Sequence, residues 1–135
     1  MLIIDAQVHI WGSGTPSSHH RQTSVYTAEE LIREMDEAGV HGAVLHPPSW
    51  DLGSVEMANQ AVRNHPSRFC TLGWFPLNDP SQRSRIDTWK QQPAMMGLRW
   101  ALTRPEQQTW HEDGTMDWVW PAAEKAGTPI ATMAW

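Results

Sequence analysis

Strand-like and helix-like segments alternate along this chain at intervals of roughly 30 residues, and few folds accept that pattern. Ile3 to Trp11 opens it as an apolar run with a polar group at every second position. Thr27-Ala28-Glu29-Glu30 reads as a capping box, with Leu31, Ile32, Met35 and Ala38 at helical spacing and Gly39 as the left-handed stop. Val40 to His46 is short, apolar and closed by Pro47-Pro48, which predicts a buried strand. Ser54 to Asn64 predicts a second helix and Phe69 to Phe75 a third strand. Asp79-Pro80 is a helix-start pair that opens a segment through about Gln91. Met96 to Leu102 follows as a strand, Trp118 to Ala126 as a helix, and Ile130 to Trp135 as a fifth strand. Crossover units of this kind make a parallel sheet, whose strands are buried on both faces and read as near-continuous apolar runs.

Two architectures fit, an open doubly wound sheet or part of a (β/α)8 barrel. The turn after the first strand, Gly12 to Ser24, is long and carries no Gly-rich phosphate loop, which argues against dinucleotide binding. A barrel needs roughly 250 residues, and this chain has 135. The expectation is therefore an α/β chain, residues 1–135, forming the N-terminal half of one (β/α)8 barrel domain with about five of its strands.

The net charge is −5 and the ten basic residues are scattered, so nucleic acid is not an expected partner. No apolar stretch approaches the roughly 20 residues of a membrane helix, and the opening run lacks a basic leader. The one cysteine, Cys70, excludes an internal disulfide and suits a reducing compartment. A cytoplasmic location, no membrane association and a small-molecule substrate are expected. A half-barrel by itself would expose strand edges, so a homo-oligomer is a further expectation.

Candidate site residues follow from strand parity. Asp5, Gln7 and His9 share one face of the first strand, at the end where barrel enzymes gather their reactive groups. His9 is the leading catalytic candidate. Gln7, on the same face, either donates to a substrate carbonyl or orients His9. Arg99 alternates with Gly97 on the fourth strand, and an arginine inside a barrel needs an anionic partner, either a substrate carboxylate or an internal one such as Asp5. Trp11, Ser49 and Trp50 follow the first two strands and are candidates to hold a flat substrate. His46 has ambiguous parity. His19, His20 and His111 read as solvated loop residues, the first two as an adventitious metal site at most. Cys70 reads as an inert small hydrophobe.

These segments resemble the amidohydrolase superfamily, specifically the amidohydrolase-2 group that includes 2-pyrone-4,6-dicarboxylate lactonase-like proteins. The likeness runs from Ile3-Ile4-Asp5-Ala6-Gln7-Val8-His9-Ile10-Trp11 through Ala38-Gly39-Val40, Pro47-Pro48-Ser49-Trp50, Arg63-Asn64-His65-Pro66-Ser67-Arg68-Phe69 and Gly97-Leu98-Arg99 to Ala122-Ala123-Glu124-Lys125-Ala126-Gly127-Thr128-Pro129-Ile130. The resemblance implies a metal-dependent-hydrolase-like TIM barrel and a hydrolase. Metal-dependent members carry His-x-His on the first strand, where this chain has Gln7-x-His9, and a late histidine on the fifth, where it has Met133. A neutral amide and a thioether are poor ligands for a hydrolytic zinc. Implied is a lactonase-like enzyme that opens a lactone or ester of a small carboxylated ring compound without bound metal. The alternatives are a metal-dependent amidohydrolase or decarboxylase using a divalent ion such as zinc, and a non-catalytic half-barrel. Further inward groups, a histidine on strand six and an aspartate on strand eight, are expected beyond residue 135, without which no turnover is expected.

Overall fold

The computed structural model describes residues 1–134. Five strands, β1 (Ile4–Val8), β2 (Gly42–Leu45), β3 (Phe69–Trp74), β4 (Met95–Leu102) and β5 (Ile130–Ala134), lie in the sheet in chain order. The helices are α1 (Ala28–Ala38), α2 (Ser54–Asn64) and α3 (Val119–Ala126). The predicted fifth strand reached Trp135, which lies outside the described residues. No described helix is long and apolar enough to cross a membrane.

The chain divides into two compact units, Met1–Thr71 and Leu72–Trp135, each with its own apolar core. In the first unit β1 pairs with β2 and β2 with β3, all in parallel. Leu45, Ala58 and Phe69 are among the residues that close its core, with Leu31 and Met35 brought in by α1. The start of α1 is set by local chemistry. The Glu30 amide donates to Thr27 Oγ1 at 3.2 Å, and the Thr27 amide donates to Glu30 Oε2 at 2.8 Å. Gly39 at φ 70° ends the helix in the left-handed conformation that glycine adopts most cheaply.

In the second unit β4 pairs in parallel with β5, from Leu98 opposite Ile130 to Leu102 opposite Ala134. Leu98, Met116 and Val119 are fully enclosed in its core. The Asp79-Pro80 start holds, with the Asp79 carboxylate accepting from the Ser81 amide at 2.9 Å. The segment it opens, Pro80–Gln91, is 3₁₀ rather than α-helical. Only Ile86 and Trp89 of its twelve residues are buried, so no apolar stripe rewards the wider α-helical turn.

One irregularity matters for function. Between Asp5 and Val8 the β1–β2 register slips, with Asp5 opposite Ala43 but Val8 opposite Leu45. Asp5 Oδ1 accepts the Gln7 amide hydrogen at 3.0 Å, which takes that donor away from the ladder. The result is an extra residue in β1, a bulge of the kind that re-aims side chains near sites.

Candidate active site

The loop after β1 closes on itself, its two ends meeting at Trp11 and Tyr26. Trp11 and Tyr26 exchange both backbone hydrogen bonds, at 3.0 and 2.9 Å, so residues 11–26 form an Ω-loop with its ends pinned. A second fastening comes from Asp51, at the start of α2. Its buried carboxylate accepts from the amides of Gly12 (2.8 Å), Ser13 (3.2 Å) and Gly53 (2.8 Å) and from the Ser13 hydroxyl (2.9 Å). Burial pushes this carboxyl up, but the four hydrogen bonds together outweigh it and hold the group below its ordinary value. The loop crosses Trp50 so closely that a Cβ on Gly14, at φ +83°, would stand 2.3 Å from the Trp50 carbonyl oxygen.

Asp51→Ala should destabilise the protein by about 2 kcal/mol, the worth of hydrogen bonds to a charged acceptor, as read by chemical unfolding. Because the folded carboxyl titrates below its unfolded value, its contribution is complete above about pH 4 and fades as pH falls through the folded value. The difference between wild type and variant should therefore shrink in acid.

Under this loop lies a cleft of about 350 Å³ lined by Asp5, Gln7, Val8, His9, Trp11, His20, Arg21 and Tyr26. The three polar residues predicted to share a face of β1 do open onto one cleft, although the bulge interrupts strict alternation. His9 Nδ1 lies 2.6 Å from the His46 carbonyl oxygen. A carbonyl only accepts, so Nδ1 carries the hydrogen and Nε2 of the neutral ring carries the lone pair.

His46 is a clamp. Its amide donates to the Val8 carbonyl at 2.8 Å, its carbonyl takes His9, and its Nε2 donates to the Ala6 carbonyl at 3.2 Å. It is buried and positions the end of β1.

Trp50 stands edge-on to His9, with ring centroids 5.6 Å apart, and edge-on to Trp11 at 5.8 Å. Trp11 is buried and donates its indole N–H to the Thr23 carbonyl at 3.0 Å, so it fastens the loop as well as lining the cleft. Ser49 is exposed and is not among the cleft's lining residues. Arg99 belongs to the second unit, where it is buried on β4, and burial pulls its guanidinium below the ordinary value. It remains cationic, as arginines do. Burial raises the Cys70 thiol, in keeping with an inert side chain.

Two groups escaped the sequence reading. His20, read as a solvated loop residue, packs against His9 at a centroid distance of 5.0 Å and against Trp50 at 4.8 Å. Arg21 forms a two-pronged pair with Glu34 of α1 at 2.7 and 3.0 Å and lies 4.7 Å over the Tyr26 ring. The Tyr26 hydroxyl donates to the same carboxylate at 2.8 Å, and burial with that partner pushes its pKa up to about 12. The only advance signal was the unusual length of the loop that carries both.

Among the described residues no group of three or more His, Cys, Asp or Glu converges as a metal cage. The amide of Gln7 on β1 stands close in sequence to His9, and a neutral amide is a weaker ligand for zinc than an imidazole.

No protein-family profile and no curated protein matches the sequence. Solved structures do match. An amidohydrolase from Burkholderia multivorans with bound zinc is similar over 100% of this chain and 50% of its own, with a TM-score of 0.79 at 13% identity. A probable 2-pyrone-4,6-dicarboxylic acid hydrolase from Acinetobacter baumannii with citric acid bound is similar over 98% and 49%, with a TM-score of 0.67 at 14% identity. A 5-carboxyvanillate decarboxylase from Novosphingobium aromaticivorans, complexed with manganese and a nitrobenzoic acid, is similar over 96% and 49%, with a TM-score of 0.66 at 16% identity. The chain spans about half the length of each of these structures. Its fold is that of the first five strands of a (β/α)8 barrel, as expected.

Proposed function

We propose that this chain carries the first half of a hydrolase site that opens a lactone or ester in a small carboxylated ring compound, without a resident metal. The observation that carries the proposal is the His9–His46 hydrogen bond, which fixes one tautomer of an imidazole at the floor of a cleft. With Nδ1–H committed to the His46 carbonyl, the neutral ring would act through Nε2. Gln7, in the same cleft, offers an amide N–H that can donate to a scissile carbonyl as negative charge develops on its oxygen. Trp11, which lines the cleft, would flank a flat ring. The hydrolase of carboxylated pyrones among the similar structures supports this substrate class.

The second reading, metal-dependent hydrolysis or decarboxylation, is favoured by the zinc and manganese held by two of the similar structures. One experiment separates the readings. The protein as its gene encodes it is assayed against carboxylated 2-pyrones and carboxylated lactones, with elemental analysis of the same sample. Turnover that survives chelation, with metal well below one equivalent, is the expected result. Stoichiometric zinc or manganese with no lactone hydrolysis would replace the first reading by the second.

A further inference from the structure

His20 has no role in the resemblance or in the site as proposed so far, yet the loop is built around it. Its amide donates to the Ser17 carbonyl at 2.9 Å, closing a turn, and its Nδ1 lies 2.7 Å from the Ser17 hydroxyl. The Gln22 side chain donates to the carbonyls of Ser17 (2.9 Å) and His20 (2.7 Å), which locks the backbone on both sides of the ring. Arg21, next in sequence, is anchored on Glu34. The ring so held covers Trp50 and His9 and lines the same cleft as Gln7. With Nδ1 against Ser17, the Nε2 edge lies on the far side of the ring from that hydroxyl.

We propose that His20 is a second acid–base group of this site, supplied by the Ω-loop and working across the cleft from His9. The role rests on the hydrolytic reading above. In the step assigned to it, the neutral imidazole removes a proton from water as the water oxygen bonds to the lactone carbonyl carbon. The ring C–O bond then breaks, and the imidazolium returns the proton to the departing oxygen, so water is consumed and the histidine is regenerated. The groups facing His20 fit this use. His19 on its own loop disfavours a positive charge there, His9 faces it as a ring at 5.0 Å, and the Arg21 charge is matched by Glu34. Asp5 lines the same cleft from β1, and Trp50 contributes no charge. Burial, then His19, hold the imidazole below its ordinary value, against a Ser17 hydrogen bond that raises it. It is thus neutral at pH 7, the state a base requires.

The test pairs kinetics with NMR on the protein as its gene encodes it. His20→Gln should lower kcat/KM on a carboxylated lactone about 100-fold, the lower end of general acid–base contributions, with KM nearly unchanged. It should also remove the acid limb of the pH–rate profile, whereas His19→Gln should keep that limb and move its midpoint to higher pH. An unchanged profile shape, or a loss confined to KM, would reduce His20 to packing and overturn the proposal. In NMR titrations the His20 ring should shift its midpoint when His9 is replaced by asparagine. If the wild type hydrolyses no lactone, the hydrolytic reading falls, and this titration still decides whether the two imidazoles act as a pair. Independent titration would end the proposal.

Discussion

Gly97→Ala is expected to lower the free energy of unfolding by about 3 kcal/mol or more, at the top of the range for overpacking a core. A Cβ there would stand 2.3 Å from the Pro129 carbonyl oxygen and 2.6 Å from Leu72 Cδ2. The carbonyl cannot retreat cheaply, because it accepts the Leu98 amide at 2.9 Å in the β4–β5 pairing. The Gly97 carbonyl is also engaged, by the Trp89 indole N–H at 2.8 Å. Relief would have to come from parting β4 and β5, with loss of ladder bonds. Gly39→Ala is the useful contrast. It meets nothing within 4 Å but sits at φ +70°, so its cost is conformational and only about 1–2 kcal/mol. Urea unfolding of both variants, with m unchanged, checks the ranking. A loss below that of Gly39→Ala would show that β4 and β5 yield more easily than their geometry indicates.

His9→Asn is expected to leave the fold intact and to lower kcat on a carboxylated lactone by about 10²–10³-fold. Asparagine keeps a side-chain N–H that can still donate to the His46 carbonyl, so β1 stays fastened. It lacks the Nε2 through which the imidazole would act. A fall in kcat with KM nearly constant marks a group used in the transition state. Activity within a few-fold of wild type would remove His9 from the chemistry.

Much of this architecture was written in short-range signals. The Thr27/Glu30 box and Gly39 bounded α1 because both caps are local chemistry, and Ser54 to Asn64 was bounded correctly by its apolar face. The Pro80–Gln91 segment kept its predicted start but not its α-helical type, since a capping Asp79 fixes a beginning without supplying an apolar stripe. His9 and Gln7 open onto one cleft, as the parity of so short a strand predicted, although the bulge interrupts the alternation. His20 and Asp51 were not legible. His20 reaches its partners through a turn made by Ser17 and Gln22, and Asp51 binds amides of Gly12 and Ser13 far away in the chain. No periodicity records contacts of that kind. The bulge at Asp5 was hidden for the same reason, since a carboxylate capturing the Gln7 amide leaves the apolar pattern untouched.

The double fastening of the 11–26 segment has a consequence for how such a protein diversifies. Trp11 meets Tyr26 at one seam and Asp51 grips Gly12 and Ser13 at another, so residues 15–25 hang from two fixed points. Sequence around Ser17, His20 and Gln22 should then be open to exchange, altering which molecules are admitted while the strands beneath keep their register. Laboratory evolution for new substrates would do best to vary the loop outside those three residues and leave both seams alone.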